Sequence, residues 1–238
     1  APPPMRLPRG APCAPRLTRV SVRSPMTAHS IARRALATLL LLSLSGSAHA
    51  WSRAGGVWRT LPVGWRWNPA SVPPSLGGAD RGRLSLEAGF ATWASAPCTR
   101  FRATNLGPTA VTLGSSRDGV NTLAWVSGSW PPELGAENLT LGATTPLTEA
   151  GSFVDVDIVF NAVGFTWALA PGPGVVDAQS IASHEGGHFL GLDHTDERAS
   201  IMYPGYSGAA TRTMSSDDMA GVCALYPSGG PVPDAGVT

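Results

Sequence analysis

The chain has 238 residues, 43% of them hydrophobic and 14% charged, which is enough apolar content for one sizeable core and too much for a disordered chain. Its net charge of +1 is unevenly divided: residues 1–50 hold seven Arg and no acid, and residues 51–238 hold ten Arg and all 16 acidic residues, a balance of 10 − 16 = −6. That balance argues against a nucleic-acid partner, because phosphate binding needs a concentrated positive surface.

Residues 1–25 precede Met26 and read as an upstream segment outside the mature protein. Arg33 and Arg34 are followed by the apolar run Ala35 to Leu44 and then by Ala48-His49-Ala50, the pattern of a signal peptide over residues 26–50 cleaved after Ala50. The protein is thus expected to be secreted, with Trp51 as its first mature residue. The apolar run is about ten residues, short of the roughly 30 Å of hydrocarbon that a helix must span, so no stable membrane insertion is expected after cleavage. An uncleaved anchor is the alternative. Export removes Cys13 and leaves Cys98 and Cys223 in an oxidising compartment, where they form one disulfide or remain two buried thiols.

Further along, Leu86, Phe90 and Trp93 recur at helical spacing after Asp80, predicting a helix over 81–96 capped by Asp80 and ended by Pro97. Residues 100–104 and 120–126 are strand candidates. The alternation in 153–160 predicts a half-buried strand with Val154, Val156, Ile158 and Phe160 on one face and Asp155, Asp157 and Val159 on the other. Residues 139–146 are its expected hairpin partner, turning at 149–152. A short apolar run over 165–170 stops at Pro171-Gly172-Pro173-Gly174. Asp177 then caps a helix over 178–191, and a last helix over 216–226 turns Met219, Val222, Cys223 and Tyr226 inward. Residues 228–238, rich in Pro and Gly without a period, are expected to be a flexible tail. The order of elements is that of one α+β domain over 51–227, with a mostly parallel or mixed sheet.

The chemistry is concentrated in His184-Glu185-Gly186-Gly187-His188-Phe189-Leu190-Gly191-Leu192-Asp193-His194. On a helix, positions i and i+4 are about 400° apart, so the imidazoles of His184 and His188 point the same way one turn apart, suited to biting one Zn²⁺. Glu185, about 100° round the helix, is better placed as a base on a water at the metal than as a ligand. Gly191 can end the helix in the left-handed conformation, letting His194 return as third ligand. Three protein nitrogens leave a fourth position for water, the mark of a catalytic zinc site. With His29 and His49 lost to the signal, these three are all the histidines of the mature chain.

This pattern resembles that of the metzincin zinc endopeptidases, and Ser200-Ile201-Met202-Tyr203-Pro204 resembles their Met-turn. Tyr206 after Pro204, and the closing stretch Ser216-Asp217-Asp218 through Tyr226, are similar to the matrixin branch. The resemblance covers about residues 56–227 and implies a zincin-like catalytic domain with a twisted mixed sheet and three helices. It implies that Met202 lies beneath the metal, although an ordinary core Met would be buried alike. It also implies that Pro204 and Tyr206 wall the pocket for the substrate side chain after the scissile bond. Residues 168–174 are similar to the end of the family's rim strand, so Trp167 and Ala168 are expected along the substrate, which would pair with 165–170. Residues 207–213 are the expected outer loop of the pocket, with Arg212 lining it or solvated. Asp193 reads as a solvated turn residue. Asp157 matches a calcium-associated Asp of the family, but its usual partners are absent, and a solvated strand residue is the other reading.

The activity implied is hydrolysis of peptide bonds in proteins, with Glu185 activating a zinc-bound water, by a monomer acting on a protein or peptide substrate. The cofactor is one catalytic Zn²⁺, with Ca²⁺ as a weaker expectation. The alternative is an exported zinc-binding module without peptidase activity, on the same fold.

Overall fold

Val156, Ile158 and Phe160 alternate along the longest strand among the described residues, Ser152–Asn161, and all three are buried. The computed structural model describes residues 50–112 and 117–231; the expected upstream segment, the expected signal peptide up to residue 49 and the expected tail beyond residue 231 lie outside the described residues. In chain order the elements are β1 (Ser52–Arg53), β2 (Val63–Trp67), α1 (Ala79–Ala94), β3 (Ala103–Pro108), β4 (Thr122–Val126) and β5 (Gly142–Glu149). They continue with β6 (Ser152–Asn161), β7 (Trp167–Ala168), β8 (Val176–Asp177), α2 (Ala178–Leu190), β9 (Leu192–Asp193) and α3 (Ser216–Leu225). The main sheet has the order β3-β2-β4-β6-β5, parallel throughout except for the antiparallel edge strand β5. This is the expected α+β architecture, a mixed sheet with three helices. No helix among the described residues is long and apolar enough to cross a membrane.

The hairpin β5–β6 turns through Ala150 and Gly151, both at positive φ (47° and 72°), as a two-residue turn with the right-handed twist of the strands requires. β6 departs from the half-buried expectation. Val154 is exposed, but Asp155 and Asp157 are buried, because the strand lies between β4 and β5 and its acids serve the loop before β4. Asp155 accepts the Gly119 N–H at 2.8 Å and Asp157 that of Thr122 at 2.8 Å, so Asp157 is not a solvated strand residue.

α1 packs against α2 and β3, and α2 against β5 and β6. α1 buries Leu86, Phe90 and Trp93 as its periodicity requires, but its cap is Gly78. Asp80 sits in the first turn, where its charge faces the positive end of the helix dipole. The two helices touch at Gly89, where an added Cβ would come within 2.7 Å of the Ala182 backbone. Buried indoles tie the layers together: Trp93 Nε1 donates to the Ser183 carbonyl and Trp58 Nε1 to that of Phe189, each at 2.7 Å.

The strand expected at 100–104 begins at Ala103, because Arg100 N–H is taken by the Tyr226 carbonyl at 2.9 Å and Thr99 bridges to Pro227. Cys98 and Cys223 are joined in a disulfide with Cα atoms 5.4 Å apart, linking the end of α1 to α3. α3 turns Asp218, Gly221, Val222 and Leu225 inward, while Met219, expected inside, is 36% exposed. The stripe is rotated because Asp217 and Asp218 are themselves drawn in. Asp217 accepts the backbone N–H of Ala50 (2.7 Å) and Trp51 (3.0 Å), and Asp218 holds the turn around Ser200.

Candidate functional site

α2 starts where Asp177 accepts the Ser180 N–H at 3.0 Å, and it stops at Gly191, whose φ of 110° lets its N–H reach the Gly187 and His188 carbonyls. Within it, His184 and His188 stand one turn apart. Beyond Gly191 the chain enters β9, which pairs antiparallel with β1, Ser52 opposite Asp193. The Ser52 hydroxyl donates to the His194 carbonyl at 2.9 Å and the Asp193 carboxylate accepts the His194 N–H at 2.7 Å. Asp193 is exposed as expected, but it stands in strand β9 opposite Ser52 and not in a turn.

These contacts bring the Nε2 atoms of both helical histidines to 3.2 Å from Nε2 of His194. Three nitrogens around one tetrahedral ion at 2.0–2.1 Å would lie about 3.3 Å apart, so the set fits zinc. Two of the rings are fixed by their other nitrogen: Nδ1 of His184 donates to the Ile201 carbonyl at 2.7 Å and that of His188 to the Leu192 carbonyl at 2.8 Å. A carbonyl can only accept, so both Nε2 atoms present lone pairs to the centre. Burial, and then the neighbouring His188, push His184 down to about 3, which keeps it neutral and able to ligate. Burial lowers His194 as well. Among the described residues these three histidines form the one convergent set of metal-ligating side chains.

Ile201 belongs to the turn that carries Met202. Asp218 organises that turn, accepting from the Ser200 hydroxyl (2.5 Å) and the Ile201 N–H (2.9 Å). Met202 is buried with its thioether against Gly187, whose missing side chain leaves room for it. The second glycine of the motif is therefore a packing requirement.

Glu185 is 4% exposed, and burial raises its carboxyl above the usual range, opposed by the neighbouring His188 and by a hydrogen bond from Thr144. It faces a cleft of about 450 Å³. One wall is β5, through Gly142 and Thr144, with Leu141 just before it; the other holds Tyr203, Pro204 and Tyr206. Tyr206 accepts the Asp177 N–H at 2.6 Å on its hydroxyl, so the pocket wall is tied to the start of α2.

Two expectations differ from what is found. Trp167 and Ala168 do not line the cleft: Trp167 is fully buried against Trp125 and Phe160, its indole donating to the Asn161 carbonyl at 2.8 Å. The edge strand along the cleft is β5, because the β5–β6 hairpin places residues 142–149 outermost in the sheet. Arg212 is neither solvated nor a lining residue of this cleft: its guanidinium lies on the buried carboxylate of Asp177 and reaches the Leu169 carbonyl. Thr144 and Gly142, which touch Glu185, were not singled out from the sequence. Their only signal is the alternation that puts positions 142, 144 and 146 on one face of a strand.

Compared with known proteins, the chain matches the family described as Matrixin over residues 83–227. It is 41% identical over 69 residues to Metalloendoproteinase 5-MMP of Arabidopsis thaliana, covering 29% of this chain and 19% of that protein. It is 42% identical over 57 residues to the interstitial collagenase of Sus scrofa (24% and 12%) and 35% identical over 80 residues to the matrilysin of Rattus norvegicus (25% and 30%). The alignments thus span less than a third of each of these relatives.

Proposed function

The chain belongs to the matrixin family, and from that premise we propose that it is a secreted, zinc-dependent endopeptidase that hydrolyses peptide bonds within proteins, with Glu185 as the general base. The observation that carries this reading is the convergence of three histidine nitrogens beside a buried glutamate that opens onto a cleft. His184, His188 and His194 would hold the ion. Zinc held there would supply a Lewis acid that makes a carbonyl more electrophilic and the attacking water more acidic.

The residues of the chain supply the rest. Glu185 accepts the proton of the attacking water and delivers it to the leaving amine, so its carboxylate cycles without net change. A substrate in extended conformation would add to the free edge of β5, taking backbone hydrogen bonds there and placing the side chain after the scissile bond beside Pro204 and Tyr206. A site that only stored or sensed zinc would need no base beside its ligands. Export is supported by the signal pattern: cleavage after Ala50 would leave the new ammonium group of Trp51 3.0 Å from a carboxylate oxygen of Asp217.

Zinc content and digestion of casein or gelatin, measured on the parent and on Glu185→Gln, test the reading. The parent should hold one equivalent of zinc and digest protein, with both zinc and activity removed by a chelator. Glu185→Gln should keep its zinc and lose activity by about 10²- to 10⁴-fold. A parent that binds zinc and cleaves nothing across a broad protein panel would instead be a zinc-binding module without peptidase activity.

A further inference from the structure

Glu185 has two carboxylate oxygens, and the chain treats them differently. Oε2 accepts the hydroxyl hydrogen of Thr144 at 2.6 Å, the short distance characteristic of a hydroxyl donating to a charged oxygen. The same hydroxyl oxygen is 3.3 Å from the Glu185 backbone carbonyl, a longer alternative for its single proton. Oε1 accepts no hydrogen bond from the described residues. It faces Gly142, where a Cβ would come within 2.7 Å of Oε1 and 3.1 Å of the carboxyl carbon.

Gly142 and Thr144 are two residues apart on β5, opposite Phe160 and Ile158 of β6, so they share one face of the edge strand. One brackets the carboxylate by having no side chain, the other by donating a hydroxyl. Resting on the peptidase reading above, we propose that Thr144 is a positioning residue for the general base: its hydroxyl engages Oε2, fixes the rotation of the carboxylate, and leaves Oε1 as the oxygen that takes up the proton. Because Thr144 lies in the strand along which substrate is expected to pair, the base is aligned from the substrate side of the cleft and not only from its own helix.

The test uses the full chain with zinc bound, and five forms of it: the parent, Thr144→Val, Thr144→Ser, Glu185→Gln and the double variant Thr144→Val/Glu185→Gln. Valine keeps the branched shape and removes the hydroxyl; serine restores the hydroxyl. On a quenched fluorescent peptide, Thr144→Val should lower kcat about tenfold with KM within twofold and zinc at one equivalent, since misplacing a reacting group costs rate without costing binding. Thr144→Ser should return kcat to within about threefold of the parent. In a Glu185→Gln background, Thr144→Val should cost nothing more, as expected for two residues acting through one group.

A second readout does not need turnover. In protein labelled with ¹³C at the glutamate carboxyl carbons, the signal absent from Glu185→Gln belongs to Glu185. It should move in Thr144→Val and return in Thr144→Ser, in metal-free as well as metal-loaded protein. An unmoved signal, a parental kcat in Thr144→Val, or a loss that serine does not restore would overturn the proposal. If valine at 144 prevents folding, Thr144→Ala is read in its place. A parent that cleaves no peptide removes the peptidase reading, while the carboxyl signal still decides whether Thr144 holds Glu185.

Discussion

Nη2 of Arg212 stands 2.6 Å from Oδ2 of Asp177 and Nε stands 3.0 Å from the same oxygen, so the guanidinium lies along a carboxylate with no exposure to solvent. Asp177 also caps α2, and Tyr206 takes its N–H, so one residue joins the helix of the ligands to the wall of the cleft. Arg212→Met should strand a buried charge and destabilise the protein by about 2–4 kcal/mol in urea denaturation. Asp177→Asn keeps a capping side chain and removes the charge. In that background Arg212→Met should cost at least 1 kcal/mol less; additive costs would show that the pair is not coupled.

Burial raises Asp157 to about 6 from an ordinary 3.8, against the opposing hydrogen bond from Thr122. A carboxyl that holds its proton more tightly when folded contributes stability that is complete below about pH 4 and lost as the pH climbs through 6. Asp157→Asn should therefore melt higher than the parent at pH 7.5, by about 1 kcal/mol of added stability, with the gap closing towards pH 4. Melting curves of both proteins across that range check it, and a gap of opposite sign would mean that the carboxylate is better served by Thr122 than burial harms it.

Ala150 is the sole non-glycine at positive φ among the described residues, and it occupies the first position of the β5–β6 turn. The left-handed region costs an alanine about 1 kcal/mol, and asparagine adopts it with less strain. Ala150→Asn should raise the melting temperature by a few degrees, read by calorimetry. An unchanged or lower value would show that the turn is not strained.

Alanine is a better helix former than glycine by about 1 kcal/mol, yet Gly89→Ala should destabilise the protein. The added methyl meets Ala182 backbone at 2.7 Å, which forces α1 away from α2. The expected loss is about 1–3 kcal/mol by chemical denaturation. A neutral or stabilising result would mean that the helices can separate without cost.

What the sequence disclosed is local. The cap at Asp177, the stop at Gly191, the spacing of His184 and His188 and the turn at 149–152 each depend on residues within one turn or hairpin, and each stands where the pattern puts it. The rim strand was illegible for a physical reason. Residues 142–149 include Pro146 and have one face in the cleft and the outer side in solvent, so their burial is partial and their apolar alternation weak. Residues 165–170 are strongly apolar, but Trp167 is apolar because it fills the core, and only Trp167 and Ala168 pair at all. The Arg212–Asp177 pair and the Thr144–Glu185 contact join residues 35 and 41 apart through tertiary packing, and no spacing in the chain announces them.

The pairing of β1 with β9 has a bearing on when this protein can become folded. Ser52 meets Asp193, Trp51 meets Asp217, and Cys98 meets Cys223 across 125 residues. The earliest described residues are thus completed only by segments far later in the chain, and the third histidine is steadied by a serine that leaves the ribosome long before it. A growing chain cannot close such a topology piecemeal. High contact order of this kind makes for slow, all-or-none acquisition of structure, so metal capture at the three histidines should coincide with global folding and serve as its report.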